Sequence, residues 1–147
     1  MAIRFFYEEI EFKLPSPNKV KLWISLSAKK EKREVKEVNY IFCSDSFLYN
    51  LNKEYLNHQD LTDIITFDES DQKSISGEIY ISIDRVAENA NKFENDFQME
   101  LRRVMIHGVL HMCGFKDKSR VQKSVMRKKE GTYLSLWGKL FHVKQSR

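Results

Sequence analysis

Cysteine, proline and glycine are all scarce in this chain of 147 residues, which contains two, two and five of them respectively. Cys43 and Cys113 lie far apart and form no C-x-x-C pair, so the chain is not a disulfide-rich secreted scaffold. We expect both to be buried thiols of a cytoplasmic protein. No segment has the proline-rich or glycine-rich composition of a linker, and we predict one domain over residues 1–147.

Long apolar runs are also absent. No stretch approaches the roughly 20 apolar residues that a membrane-spanning helix needs, and the first residues lack the basic-then-apolar pattern of a secretory signal. Hydrophobic residues make up 41% of the chain and charged residues 31%. This balance predicts a soluble globular protein with an adequate core and no membrane partner. The oligomeric state stays open, with a monomer favoured.

Charge is distributed unevenly along the chain. Residues 115–147 contain ten lysines and arginines against two acidic residues, a net charge of +8, whereas the preceding 114 residues carry 15 basic and 19 acidic residues, a net charge of −4. The basic C-terminal helix and tail, residues 119–147, therefore follow an acidic body. A run of charge is often only a solvated helix face, but an asymmetry of this size favours a polyanionic partner, with nucleic acid the leading candidate.

Hydrophobic periodicity predicts four strands and about five helices. The strands are expected near residues 3–6, 38–43, 62–67 and 77–83. The helices are expected at residues 17–33, after residue 44 or 46, at 84–93, after residue 95 or 96, and after residue 119. We therefore predict an α/β (α+β) fold, a single compact domain in which a mixed sheet of roughly four strands packs against the helices.

Five helix starts are predicted from capping residues. Ser44 or Ser46 is expected to cap the second helix, and Asn95 or Asp96 the fourth. Ser16 precedes a proline and is expected to cap the first long helix. Asp84 is expected to cap the third helix, and Ser119 with Gln122 forms a capping box at the start of the last one. The buried side of that last helix is predicted to consist of Val121, Val125, Met126, Tyr133, Leu134 and Trp137.

The stretch from His107 to Asp117 is the most informative part of the sequence. His107 and His111 are four residues apart in a strongly apolar helix, so their side chains project from one face. Gly114 can adopt the left-handed conformation that ends a helix, after which Asp117 can fold back toward the histidines. Two imidazoles, one carboxylate and an open fourth position are typical of a catalytic zinc site. The alternative is a pair of histidines hydrogen-bonded to the backbone.

The spacing of these residues also resembles that of the metzincin proteases, which makes the predicted metal helix zincin-like. In those enzymes the residue after the first histidine is the glutamate that serves as general base. In this sequence that residue is Gly108. A peptidase interpretation therefore loses its base and is less favoured.

Two separated motifs in the right order resemble the YbeY family of bacterial endoribonucleases, which are also described as rRNA maturation factors. The matching residues are Leu51-Asn52-x-x-Tyr55, Asp60, 62–67, Gly77-Glu78-Ile79, His107-Gly108-x-Leu110-His111-x-x-Gly114-Phe115, Met126 and Glu130. The resemblance implies a compact α/β domain with a single zinc ion beside a positively charged groove. It also implies RNA processing connected with the small ribosomal subunit and its assembly.

The sequence departs from the family pattern around the predicted metal. Asp117 replaces the third metal-binding histidine of the family, and Lys116 replaces the aspartate before it. A carboxylate ligand lowers the net charge of the site by one, so the ion would acidify water less than zinc usually does. It also makes the site more suitable for Mn²⁺ or Fe²⁺. Leu56 replaces an arginine that would be a natural phosphate clamp.

Basic residues near the motif are the candidate RNA contacts. Lys116, Lys118 and Arg120 could supply the positive charge lost at position 56, and His58 lies in a loop close to the first motif. Asp63 and Thr66 are compatible both with lining the groove and with an ordinary strand-edge turn. The sequence indicates no general base.

The leading hypothesis is a metal-dependent single-strand endoribonuclease acting in small-subunit rRNA maturation, with a zinc ion held by His107, His111 and Asp117. Two alternatives remain open. One is a non-catalytic RNA-binding factor of ribosome assembly whose metal only braces the fold. The other is a different metal hydrolase, such as a peptidase.

Overall fold

Strands and helices alternate along the chain in the computed structural model, which describes residues 2–55 and 62–142. The strands are β1 (Ala2–Glu8), β2 (Glu34–Cys43), β3 (Ile64–Asp68) and β4 (Ser74–Ser82). The helices are α1 (Pro17–Lys30), α2 (Asp45–Tyr55), α3 (Ile83–Lys92), α4 (Phe97–Met112) and α5 (Arg120–Phe141). The predicted elements are all found within these residues, and β2 begins four residues earlier than expected.

The strands form one mixed sheet in the order β1-β2-β4-β3. β1 and β4 both run parallel to β2, whereas β3 runs antiparallel to β4. Gly77 of β4 lies opposite Asp68 and has a φ of 145°. A Cβ atom there would lie 2.1 Å from the carbonyl oxygen of Phe67, so only glycine fits at this close approach of two strands. The mixed α/β sheet predicted from the sequence is thereby confirmed.

Helix α4 lies at the centre of the molecule and contacts β3, β4, α1, α3 and α5. Its side chains are buried on nearly every face, as the sequence indicated. Gly108 lies where α4 packs directly on the sheet, and a Cβ atom there would lie 3.0–3.1 Å from side-chain carbons of Ile79 and Ile64. The hydroxyl of Tyr40 in β2 donates to the carbonyl of Met105 at 3.0 Å. The helix that carries both histidines is therefore fixed rigidly to the sheet.

Helix starts agree with the sequence in three cases. Ser44 caps α2, because its hydroxyl accepts a hydrogen bond from the amide of Phe47 at 3.1 Å. Asp96 caps α4 by accepting a hydrogen bond from the amide of Met99, and Ser119 and Gln122 form the predicted capping box of α5.

In two other cases the predicted cap was wrong. Ser16 precedes α1 but has a left-handed backbone, φ 50°, and its side chain makes no capping bond, because an N-cap side chain reaches its amide from an extended backbone. Ser82, rather than Asp84, caps α3. The carboxylate of Asp84 instead accepts from the amide of Asp45 at the start of α2, 2.8 Å away.

The inner face of α5 is narrower than predicted. Met126, Tyr133, Leu134 and Trp137 are buried, but Val121 and Val125 are exposed, at 72% and 41%. The first turns of α5 extend past the core, so helical spacing alone placed these two valines on the wrong side. Farther along, the indole of Trp23 in α1 donates to the carbonyl of Tyr133 at 2.7 Å.

The structure also shows the environment of the two cysteines and the apolar character of the helices. Cys43 and Cys113 are both buried free thiols, as expected, and burial raises their pKa to about 12 and about 11. Within residues 2–55 and 62–142, none of the helices has the length and apolar character required to cross a bilayer.

Candidate metal centre

The two histidines come from the last turns of α4 and lie side by side. The Nε2 atom of His111 lies 2.9 Å from the Nε2 atom of His107. Their side chains are 30% and 16% exposed, so both rings lie at the edge of the core with one side open to solvent. This is the arrangement expected of side chains four residues apart on a helix.

A glycine turn returns the chain to these rings. Gly114 has a φ of 99°, its amide donates to the carbonyl of His111 at 2.9 Å, and the amide of Phe115 donates to that of Leu110 at 3.0 Å. This pair of hydrogen bonds is a Schellman motif, which ends a helix and reverses the chain. The Oδ2 atom of Asp117 thereby lies 3.2 Å from Nε2 of His107 and 3.5 Å from Nε2 of His111.

The hydrogen bonds of the rings determine which nitrogens carry hydrogen. Nδ1 of His111 lies 2.9 Å from the carbonyl oxygen of Phe115, and because a carbonyl only accepts, this nitrogen donates. Nδ1 of His107 lies 2.6 Å from Oε2 of Glu130 and donates in the same way to the carboxylate. In neutral rings both Nε2 atoms then present lone pairs, and these point at each other and at the Asp117 carboxylate.

These three atoms fit a metal ion. Bonds of 2.0–2.2 Å in tetrahedral geometry hold their ligand atoms roughly 3.3–3.6 Å apart. The observed separation of 3.5 Å lies within that range, whereas those of 3.2 and 2.9 Å lie below it, a difference that small movements of the side chains would remove. Three lone pairs converging with no hydrogen between them repel one another unless a cation lies among them. Among the described residues, His107, His111 and Asp117 form a group that could hold a metal ion.

A buried ionic network lies behind His107. Glu130 of α5 is 3% exposed, and its second oxygen, Oε1, accepts from Nη1 of Arg103 at 3.2 Å. Burial alone would raise the pKa of Glu130, but the hydrogen bond from His107 and the charge of Arg103 outweigh it and hold the pKa below its usual value. Arg103 also donates to Glu100, one turn earlier on α4.

The sequence analysis missed this network, although it noted Glu130 as part of the family pattern. One signal could have found half of it, since Glu100, Arg103 and His107 are spaced by three and four residues and so share a face of α4. The pairing with Glu130 depends on how α5 docks, which helical spacing does not reveal.

An open cavity of about 680 Å³ adjoins the three converging groups. It is lined by Thr62, Asp63, Ile64, Thr66, Asp68, His107, His111, Gly114, Phe115, Lys116 and Asp117. Asp63 and Thr66, which sequence reasoning left undecided, therefore line the cavity. Burial raises the pKa of the Asp63 carboxyl, and the charges of Arg103 and His107 offset only part of that.

The predicted RNA contacts are distributed unevenly around this cavity. Lys116 lies at its rim and is exposed. Lys118 and Arg120 are exposed on the following turn and at the start of α5 but do not line the cavity. His58 and Leu56 lie outside the described residues. Trp137 and Phe141 of α5 pack on each other, with ring centroids 4.6 Å apart.

Comparison with known proteins gives a family. The profile of the family described as endoribonuclease YbeY matches residues 7–138. Endoribonuclease YbeY of Flavobacterium psychrophilum is 50% identical to this chain over 141 residues, covering 96% of the chain and 98% of that protein. Its counterpart in Amoebophilus asiaticus is 49% identical over 133 residues, covering 90% of each. The solution structure of a Thermotoga maritima protein matches with a TM-score of 0.67 at 27% identity, covering 94% of this chain and 91% of that one.

These matches extend well beyond the two motifs on which the sequence resemblance was based. They take in the sheet, the central helix α4 and most of α5, together with the turn that carries Asp117. The chain therefore belongs to the endoribonuclease YbeY family.

Proposed function

We propose that this protein is a metal-dependent endoribonuclease that cleaves single-stranded RNA in the cytoplasm, in the maturation of small-subunit rRNA and the assembly of that subunit. Family membership supports RNA cleavage, since the relatives of Flavobacterium psychrophilum and Amoebophilus asiaticus bear the name endoribonuclease. The link to ribosomal RNA is supported by the sequence resemblance alone.

One observation supports metal dependence most strongly. His107, His111 and Asp117 direct three lone pairs at one point beside an open cavity, and the outer nitrogen of each ring is already used as a donor. A bound cation would satisfy all three groups and leave a coordination position facing the cavity. A closed structural site would instead use a fourth protein ligand.

Different residues of this chain would bind the ion, position its ligands and contact the RNA. His107, His111 and Asp117 hold the ion, and Glu130 and the carbonyl of Phe115 hold the two rings. Lys116 at the rim is suited to hold an RNA phosphate near the ion. When bound, the metal supplies Lewis acidity toward a phosphate oxygen or water.

Zinc is the proposed ion, with Mn²⁺ or Fe²⁺ as substitutes. Two neutral imidazoles and one carboxylate give the ligand set one negative charge. That charge makes the site more hospitable to harder ions than three histidines would be. Metal content measured on the purified protein tests this assignment.

The peptidase alternative is disfavoured by the packing of Gly108. The proteases with this histidine spacing place their catalytic glutamate at this position. In this protein position 108 faces the sheet, where any side chain would meet Ile79 and Ile64. A glutamate could not be accommodated there, and the position does not face the cavity.

The proposed function is tested by RNA cleavage assays on full-length protein of known metal content. We expect a single-stranded RNA to be cut, the same sequence in a duplex to resist, and a chelator to stop cleavage until Zn²⁺ or Mn²⁺ is restored. RNA binding without cleavage at any metal would overturn the proposal in favour of a non-catalytic assembly factor. Peptide hydrolysis without RNA hydrolysis would overturn it in favour of a peptidase.

Asp63 is the residue of the cavity best suited to transfer a proton, because burial raises the pKa of its carboxyl above the usual value. We expect Asp63→Asn to lower the cleavage rate by about 10²-fold, the lower end of the effect of losing a general acid or base.

The raised pKa of Asp63 means that its ionised carboxylate destabilises the fold, so the stability of wild type falls as pH rises through that pKa. Metal-free Asp63→Asn should therefore be at least as stable as metal-free wild type at pH 8, as measured by thermal unfolding.

Asp71 provides a matched control for this variant. It lies in the turn between β3 and β4, where hydrogen bonds from the amides of Ser74 and Lys73 lower its pKa. Asp71→Asn should leave cleavage unchanged and should slightly lower stability above the normal pKa of an aspartate, the opposite sign to Asp63→Asn. Equal cleavage by the Asp63→Asn variant and wild type would remove Asp63 from the reaction.

A further inference from the structure

Glu130 is the group from α5 that reaches the ring of a proposed metal ligand. The three converging side chains come from α4 and the turn after it, whereas Glu130 approaches His107 from the opposite side. Its carboxylate is almost fully buried, at 3% exposure, and its two oxygens have different partners. Oε2 accepts from Nδ1 of His107 at 2.6 Å, and Oε1 accepts from Arg103 at 3.2 Å.

Arg103 is itself held by a second carboxylate. Its Nε and Nη2 atoms donate to Glu100 at distances of 2.7–3.2 Å, which leaves Nη1 for Glu130. The planar guanidinium therefore bridges a carboxylate on α4 and one on α5. The guanidinium uses two of its nitrogens for Glu100 and the third for Glu130. A lysine has a single nitrogen and could not reproduce this geometry.

We infer that Glu130, braced by Arg103, is a positioning residue that fixes the tautomer and the orientation of His107 for metal binding. The inference rests on the proposed function, in which His107 is a ligand. A carboxylate that accepts from Nδ1 keeps the hydrogen on that nitrogen, so that Nε2 presents its lone pair toward Asp117. The negative partner also makes the ring a stronger donor to a cation.

An ordinary role in fold stability accounts less well for this carboxylate. The charge of Arg103 is already balanced by Glu100, with which it forms its shortest contact, 2.7 Å. A second buried carboxylate adds desolvation cost, and an apolar side chain would fill the same space without that cost. Arg127 of α5 also lies near Oε1, at 3.9 Å, but its side chain is 69% exposed and the contact is long. The partner that explains a buried acid at position 130 is therefore the imidazole of His107.

The two histidines differ in how they are held. His111 donates to the backbone carbonyl of Phe115, whose position is set by the Gly114 turn. His107 depends on a side chain from another helix. Substitution at position 130 should therefore affect one ligand and leave the other in place.

The tautomer of His107 is tested by nitrogen-15 NMR of the imidazoles in metal-free protein, at a pH where both rings are neutral. We expect the hydrogen on Nδ1 of His107 in wild type and in Glu130→Gln, because the amide oxygen of glutamine also accepts. In Glu130→Ala we expect a shift toward the Nε2–H form. A wild-type ring with its hydrogen on Nε2 would overturn the inference without any variant being needed.

Zinc affinity, measured by competition with a chromogenic chelator, gives a second readout. We expect Glu130→Ala to weaken binding by up to about 100-fold and Glu130→Gln by about 10-fold, the range found when the partner of a ligand histidine is removed. Arg103→Met should have an effect of the Glu130→Gln size, since it frees the carboxylate without removing it.

Glu31→Gln is the matched control. Glu31 is a carboxylate 11% exposed that pairs with Lys129 of α5 at 2.8 Å and also accepts from the Tyr133 hydroxyl. Its loss should lower stability but leave zinc affinity unchanged. Wild-type zinc affinity in a folded Glu130→Ala protein would overturn the inference, even if RNA cleavage were found. Weakened zinc binding with no RNA cleavage by wild type would instead refute the proposed function and leave the role of Glu130 intact.

Discussion

Replacing His111 by alanine is expected to abolish RNA cleavage while the protein remains folded. The variant loses one of three proposed ligands, and with it the ion that would stabilise charge on the reacting phosphate. Lewis-acid stabilisation of this kind is worth several kcal/mol, so cleavage should fall by roughly 10³-fold or more. Because the His111 side chain is 30% exposed and not part of the hydrophobic core, the cost to stability should be small.

The measurement combines cleavage of single-stranded RNA, zinc content and far-UV circular dichroism on the same preparation. His142→Ala is the matched control, since this exposed histidine lies at the end of α5 and takes no part in the cavity. It should cleave like wild type. RNA affinity should also persist in His111→Ala, because phosphate contacts by lysine and arginine do not require the ion. Undiminished cleavage by His111→Ala would contradict the proposed mechanism.

The geometry of the candidate metal centre was predictable because it is local. His107 and His111 share a helix face, and Gly114 ends that helix with the left-handed residue that its lack of a side chain permits. Those two rules bring Asp117 to the rings without any knowledge of the rest of the fold. The sheet and its helices followed in the same way from periodicity and turn residues.

The surroundings of the site were not predictable for the opposite reason. Glu130 lies 23 residues after His107 and reaches it only because α5 docks across α4. Asp63 becomes partly buried because β3, which follows it, lies at the edge of the sheet next to α4. Both features depend on contacts between elements distant in sequence, and helical or strand spacing carries no information about them.

The same limit explains the misplaced caps and valines. Asp84 has a residue type that commonly begins a helix, yet its carboxylate serves the start of α2, which packs beside α3. Val121 and Val125 lie at spacings compatible with a buried face, yet within the described part of the chain no neighbouring element covers them. The local sequence pattern identified the helices and strands. The packing of these elements against one another determined which residues cap a helix and which side chains are buried.

Asp117 provides the second large effect, because the sequence resemblance implies a metal-binding histidine at this position. Removing the carboxylate in Asp117→Ala deletes a proposed ligand and leaves two imidazoles. Zinc affinity should fall by more than the roughly 10–100-fold typical of losing only the hydrogen-bond partner of a ligand. RNA cleavage should be lost with it. Chelator competition and the cleavage assay measure both quantities on one sample.

Asp117→His is expected to behave in the opposite way, because it restores a nitrogen ligand at the same place. The variant should retain zinc, should bind Mn²⁺ more weakly relative to zinc than wild type does, and should reach half-maximal cleavage at a lower pH. The direction of the pH shift follows from charge, since a site with one more positive charge favours the deprotonated form of the groups around it. A correctly folded Asp117→His protein that binds no metal would show that Asp117 does not contact the ion, since a histidine at a true ligand position can still coordinate zinc.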